Sequence, residues 1–541
     1  MNQDCHYYGT YYIARAAGFD HEEAYYIAWA AESVDQCHIE HLEEIAEKLN
    51  ISRTQIAEKT NFILTLTEPL DGSLHLSTDF EMIETQADNI DHLTALRAMW
   101  MPFHFLPGNF PGAIPDDQLI KYWGKHGINS QDNHDLSLMC RTSTETCKEI
   151  IENARIQYQK YKNSEETKTL GLFAIGIAMH VLADTWSHEF FCGSPNRKIN
   201  LVNFELSGDE SENIKNGIAK RKRSIDCRDF AGNTVTLASV NSESDYTMAS
   251  LGHGTAGHLP DQAYRDYDSY HVFLSNINYV QDKAMPQNQR YKVKYPHELV
   301  KSGNPIRNES ADGIVNYTTV ISEQYIPRDN PTRFLNAFTQ MLEALIYIRA
   351  EESMQLILTL NKDLKRGLGS KASNFDQYNE LLEELPGRVF TQKTNDQSQQ
   401  WIELIHKKHH LYLPKYVFFN KDEPYSYNSA DDFFTDSDCG KFMQMAIIHR
   451  DNVIQYIKTN YEINGNPVFT RKNVDLAVRR FFLDAPKYGK GATFLKYVLE
   501  IFPIDGGMTK TEHVPPTEAL KKTEPHRRII LTNPMIPWRW R

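Results

Sequence analysis

The chain has 541 residues, more than one compact core ordinarily accommodates, so two domains or one large domain with insertions is expected. With 41% hydrophobic and 24% charged residues it has the make-up of a soluble globular protein. A formal net charge of -13 weighs against a general nucleic-acid coat, because phosphate backbones are bound by excess Lys and Arg.

The first residues, MNQDCHYYGTYYIARAAG, lack a basic start followed by an apolar core, so no secretory signal is expected. No stretch reads as the roughly 20 apolar residues of a membrane span. The expectation is a protein that is cytoplasmic where it is made. The cysteines (Cys5, Cys37, Cys140, Cys147, Cys192, Cys227 and Cys439) are odd in number, scattered and without a C-x-x-C pair, which suggests reduced thiols.

The first 190 residues read as helices joined by polar loops. Asp20 with Glu23 forms a capping-box start to a helix reaching roughly Val34. Its apolar stripe is Ala24, Ile27, Ala28 and Ala31, and the next position on that stripe is the carboxylate Asp35. Residues 42–66 read as helix, and 101–115, with four prolines, as a loop. A charged helix over 145–162 leads into GIAMHVLADTWSHEFF, residues 176–191. From 192 to 250 the chain turns Ser-, Asn- and charge-rich and includes the run Lys220 to Arg223; this reads as an inserted excursion with a β-hairpin. Helical pattern returns at 333–362 and 440–458.

From Tyr461 on, 14 Lys/Arg stand against 8 Asp/Glu, ending in a segment with Trp538 and Trp540. Such a basic shift in an acidic chain predicts a separate C-terminal module or tail over 461–541, beside a helical domain over 1–460.

Three polar groups interrupt the apolar segment at intervals of four. Such steps drift only about 40° around a helix, so His180, Asp184 and His188 form one stripe. A carboxylate in an apolar helix is costly unless compensated, and imidazole nitrogen with carboxylate oxygen is a donor set that suits zinc. Asp4, His6, Asp35 and His104 offer matching groups, as does LGHGTAGHLPD with His253, His258 and Asp261. His38, His41, His406, His409 and His410 read as solvated.

The ordered set of an N-terminal D-x-H, YYGTY, Asp35, FHFLPG, H-x3-D-x3-H and GHGTAGHLPD resembles the bacterial zinc-dependent phospholipase C family. The closer likeness is to its phosphatidylcholine-hydrolysing branch, which includes effectors injected by intracellular pathogens. The likeness covers roughly residues 4–270. It implies a mainly α fold, a helical bundle shared with single-strand-specific zinc nucleases, holding two or three Zn2+ ions.

Carried over, Asp35, His104, His180 and Asp184 would hold one zinc. His188, with His258 or His253 and Asp261, would hold a second, and His6 with Asp184 a third. Asp35 would also accept the proton of the attacking water. In the secreted members the mature N-terminal residue itself supplies metal ligands, and the histidine after H-x3-D follows at a longer interval. This chain departs on both points, with Asp4 standing as the substitute.

A choline head group would call on Tyr7, Tyr8, Trp29, Glu32 and Trp100. The implied partner is a phospholipid membrane, reached by delivery into another cell. No nucleic acid is expected. Two alternatives remain: a single-strand nuclease or nucleotidase on the same fold, and a non-catalytic effector whose basic tail binds membranes or host proteins.

Overall fold

A computed structural model describes residues 1–52, 97–110, 137–194, 259–264, 315–350, 354–364, 375–390, 397–419 and 423–463 almost without a break, with short strands and single positions between them. A π-helical turn, Asp4–Gly9, runs directly into α1 (Thr10–Ala16). Then come α2 (His21–Gln36), α3 (Ile39–Lys48), α4 (Glu145–Tyr161) and α5 (Lys168–Ser187). After a stretch that contains strands follow α6 (Asn330–Arg349), α7 (Phe375–Leu385), α8 (Ser398–His409), α9 (Ala430–Asp436) and α10 (Asp438–Asn460). The mainly α class expected from the sequence is the class observed.

Local chemistry sets the helix starts. Asp20 and Glu23 exchange side-chain-to-backbone bonds in the expected capping box. Thr144 caps α4, Asp329 caps α6 beside a proline in its first turn, and Ser437 caps α10.

α5 is the axis of the molecule. It is long and apolar enough to cross a membrane, contrary to the expectation of no such stretch, yet 89% of its apolar window is buried inside the protein. Helices α2, α4, α6 and α10 pack around it, so its apolar surface meets protein on all sides. Gly176 allows α2 close access: a Cβ there would strike the Ile27 carbonyl and the Ala30 side chain. Beside this axis, Tyr12, Phe338, Phe390 and Trp401 form an aromatic wall joining α1, α6 and α8.

The strands reach further along the chain than the expected excursion of 192–250. β1 (Val202–Leu206), β4 (Asp266–Val280), β5 (Ile306–Glu309) and β6 (Val315–Asp329) form an antiparallel sheet in the order β1-β4-β6-β5, while β2 (Asp226–Arg228) and β3 (Thr234–Thr236) make the expected hairpin. β4 and β6 lie beyond the composition change that bounds the expected excursion. The sheet leads through Asp329 straight into α6.

Two helix boundaries also differ. Residues 97–103 are helical, so the expected 101–115 loop begins at the end of a helix, with Pro102 inside it. The helix expected over 333–362 stops at Arg349, and residues 354–360 form neither helix nor strand. Glu343 causes the latter. Its carboxylate accepts the backbone N–H groups of Ile357, Leu358 and Thr359 at 2.8–3.1 Å and the Thr359 hydroxyl at 2.7 Å, bonds that a continued helix would not make.

The described cysteines other than Cys227 are buried free thiols. Of the C-terminal module expected over 461–541, only Tyr461 to Phe469 is described, in part, with a short β7–β8 pair (Glu462–Ile463 with Asn466–Pro467); the remainder, the Lys220 to Arg223 run and His258 lie outside the described residues.

Candidate metal centre

His180 and Asp184 face one way because they lie one helical turn apart on α5, and His188 follows as its C-cap. Each imidazole is turned by its back nitrogen. His180 Nδ1–H donates to the Ala31 carbonyl on α2 at 2.8 Å, and His188 Nδ1–H donates to the His104 carbonyl at 2.8 Å. A ring that donates one N–H to a carbonyl presents the other nitrogen as a lone pair, which is how metal-binding histidines are oriented. His180 Nε2 thereby lies 3.2 Å from Asp184 Oδ2, and His188 Nε2 3.0 Å from Asp261 Oδ1.

Four further segments converge on this stripe. The π-helical turn brings His6, whose ring stacks on His180 at 3.8 Å. The last turn of α2 brings Asp35, 3.7 Å from His6 and from His180. His104, at the end of the helical stretch 97–103, places Nδ1 3.2 Å from Asp184 Oδ2 and 3.8 Å from Asp35 Oδ1. The glycine-rich segment supplies His253 and Asp261, 3.5 Å apart.

Among the described residues three triads have donor atoms within 4.8 Å of one another: His6–Asp35–His180, His104–His180–Asp184 and His188–His253–Asp261. The first two share His180, and Asp184 touches members of all three.

The α-amine of Met1 is buried in the same cluster, 2.5 Å from Asp184 Oδ1 and 3.3 Å from Asp261 Oδ1. Burial alone would lower its pKa, but Asp184 and Asp261 outweigh that and raise it to about 11. A cation therefore stands between two of the centre's carboxylates.

For His6, burial, then His180 and the Met1 ammonium, push the pKa down to about 3, so the ring is neutral near pH 7. Neither of its nitrogens makes a hydrogen bond among the described residues, although Nε2 is 3.2 Å from Asp184. Burial favours protonation of Asp184, but His188, the Met1 amine, His180 and His6 hold it well below the usual carboxylate range. Asp35 is likewise lowered, with His180, His6 and His104 overcoming its burial.

Three carboxylates against one ammonium leave negative charge in excess, ringed by imidazole lone pairs. That donor set, together with an orphaned buried histidine, fits divalent metal ions.

One sequence expectation needs correction. Asp4 joins none of the triads: its Oδ2 accepts the backbone N–H of Gln397 at 2.8 Å, at the start of α8. The π-helical winding turns it away while it delivers His6. The Met1 amine occupies the cluster instead. Between the two histidines of the glycine-rich segment, His253 is the one described, and it lies in the triad.

Of the head-group candidates, Tyr7 and Trp29 spend their polar atoms on the Pro414 and Val417 carbonyls. Tyr8 is buried. Trp100 lies 5.6 Å from the His104 ring and its Nε1 makes no hydrogen bond among the described residues. Glu32 is buried, and its pKa is pushed well up by burial and by Asp35. Of the histidines expected to be solvated, His406 and His410 are exposed, whereas His41 and His409 are half-buried, packed on the rings of Phe418 and Tyr12, and His38 lies outside the described residues.

Supporting residues had no sequence signal. Arg333 of α6 donates to the Trp186 carbonyl and to Glu189 at 2.8 Å, and Arg141 holds the other Glu189 oxygen at 3.4 Å. Asn330 donates to the Gln262 carbonyl at 2.9 Å. The first turn of α6 thus clamps the residues adjoining both His188 and Asp261. Phe190, two residues past His188, takes a φ of 72°, a left-handed conformation kept by its bond to the Cys140 carbonyl at 2.9 Å.

Compared with known families, residues 1–457 match a family of unknown function, DUF6765. No curated protein and no solved structure matches the chain.

Proposed function

This chain belongs to the DUF6765 family of unknown function, and we propose that its histidine–aspartate centre is that of a zinc-dependent phospholipase C, hydrolysing phosphatidylcholine or a related phospholipid to diacylglycerol and a phosphorylated head group. The observation that carries the reading is Asp184. One buried carboxylate lies 3.2 Å from each of His6, His104 and His180, and 3.5 Å from His188, the surroundings of a carboxylate shared between ions. The lipid substrate rests on the resemblance of the motifs around these same residues.

Under this reading Asp35, His104, His180 and Asp184 hold one ion, His188, His253 and Asp261 another, and His6 with Asp184 a third. Zinc supplies an acidified water and draws charge from phosphoryl oxygens. The chain's part is to orient the lone pairs of His180 and His188 through the Ala31 and His104 carbonyls. Asp35, held low by three imidazoles, serves better as a ligand than as the proton acceptor.

The test is release of phosphocholine from phosphatidylcholine by purified protein, with zinc and with a chelator. Chelator-sensitive release supports the reading. Cleavage of single-stranded DNA in place of lipid would transfer the same centre to a nuclease, and zinc binding with neither activity would leave a metal-stabilised binding protein.

A further inference from the structure

Exposed large apolar side chains are few among the described residues. Three of the four, Tyr412 (69% exposed), Val417 (57%) and Tyr425 (67%), lie close together in the chain after α8. Residues 411–417 form no helix or strand, yet they alternate: Leu413 and Tyr416 are buried, while Tyr412, Pro414, Lys415 and Val417 are exposed.

The alternation is fixed from beneath. The Tyr7 hydroxyl donates to the Pro414 carbonyl at 2.9 Å, Trp29 Nε1–H donates to the Val417 carbonyl at 2.8 Å, and the Tyr416 hydroxyl lies 3.0 Å from Ser33 Oγ. Phe418 then stacks on Trp29 at 6.1 Å. A loose loop would fold its apolar residues inward; this one is pinned with Tyr412 and Val417 in water. Tyr425 stands in the next turn with the Lys48 ammonium 5.2 Å over its ring.

The pins belong to the elements that build the metal centre. Tyr7 adjoins His6, and Trp29 and Ser33 precede Asp35 on α2. Asp35 is 26% exposed, against 13% for Asp261 and 1% for Asp184, so the centre is most open at the C-terminal end of α2. From that end His41 bonds the Gln36 carbonyl at 2.8 Å and stacks on Phe418 at 5.4 Å, which leads to the exposed residues.

We propose that Tyr412, Val417 and Tyr425, with Lys415 and Lys48, are the surface on which the protein rests on a phospholipid bilayer, beside the open side of the metal centre. The proposal builds on the phospholipase reading and names where its substrate comes from. Tyrosine is favoured at the bilayer interface and lysine beside lipid phosphates. Separate anchors divided by lysines suit a deformable bilayer better than a protein partner, which needs a contiguous complementary surface of roughly 1,000 Å².

The test uses the full-length, zinc-loaded protein and a variant carrying Tyr412→Ser, Val417→Ser and Tyr425→Ser. Flotation with phosphatidylcholine vesicles, vesicle hydrolysis and hydrolysis of a short-chain phosphatidylcholine below its micelle concentration are compared. The expected result is a tenfold or greater loss of vesicle binding and vesicle hydrolysis, with monomer hydrolysis within twofold of the parent.

A second variant, Tyr412→Trp with Val417→Trp, is expected to float more completely than the parent. Unchanged vesicle binding by the serine variant, no gain by the tryptophan variant, or no flotation of the parent would overturn the proposal. A parent that floats but hydrolyses neither lipid, with flotation lost in the serine variant, would retire the phospholipase reading and leave the surface standing.

Discussion

Asp184 is the residue on which the centre turns, since it touches His6, His104, His180, His188 and the Met1 amine. Asp184→Asn keeps the size and removes the charge. Under the proposed function, bound zinc measured by elemental analysis should fall and hydrolysis should drop more than about a hundredfold, beyond the ten- to hundredfold cost of losing an outer-shell partner. A fully loaded, active variant would refute the bridging arrangement.

His449 permits a cleaner titration. Burial lowers its pKa from 6.5 to about 4, although its Nε2–H donates to the Pro102 carbonyl at 2.8 Å. The unfolded chain therefore takes a proton that the folded state refuses, and stability falls as pH drops from 6.5 towards about 4. His449→Gln retains a donor and cannot titrate. In chelator, urea unfolding at pH 7.5 and pH 5 should show the variant losing about 2 kcal/mol less than the parent. Equal losses would mean that His449 does not carry this pH dependence.

At the scale of elements, α6 does two jobs from its two ends. Its first turn clamps the neighbours of His188 and Asp261 through Arg333 and Asn330. Under the proposed function, Arg333→Met should weaken zinc affinity roughly ten- to hundredfold by titration while leaving the far-ultraviolet circular dichroism unchanged. Collapse of helicity would instead make Arg333 a general folding residue. Further along, Glu343→Leu would strand the N–H groups of Leu358 and Thr359 in the interior, with that of the half-buried Ile357 beside them. At about 1 kcal/mol or more for each buried orphan, a loss of at least about 2 kcal/mol is expected in chemical unfolding. A cost under about 1 kcal/mol would show that the 354–360 segment simply rearranges.

For the molecule as a whole, the centre joins the π-helical turn, α2, α5, the 97–103 helix and the glycine-rich segment, elements drawn from chain positions 6 to 261. Ions held there would cross-link the fold. Zinc at a hundred times its dissociation constant should stabilise the folded state by about 2.7 kcal/mol for each site that the unfolded chain lacks. Thermal unfolding should therefore shift upward with zinc and back with chelator. Superimposable melting curves would count against a resident metal.

What could be read from residues alone was whatever local chemistry decides. The Asp20–Glu23 box announced α2, and the four-residue spacing placed His180 and Asp184 on one face of α5 before any contact was known. The apolar surroundings made that stripe anomalous, and the mainly helical class followed from the same periodicity. Strand–strand pairing between residues 35 to 63 positions apart, as in β4 with β6, leaves a weaker local mark.

Only the tertiary structure could decide that Asp4 turns away to Gln397 while the Met1 amine enters the cluster. The reason is geometric: a π-helical turn rotates successive side chains differently from an α-helix, and the partners lie hundreds of residues away. The same holds for α5, whose composition satisfies a membrane as well as a core. Its neighbours α2, α4, α6 and α10 make it a core helix, because burial is a property of what surrounds a segment and not of the segment itself.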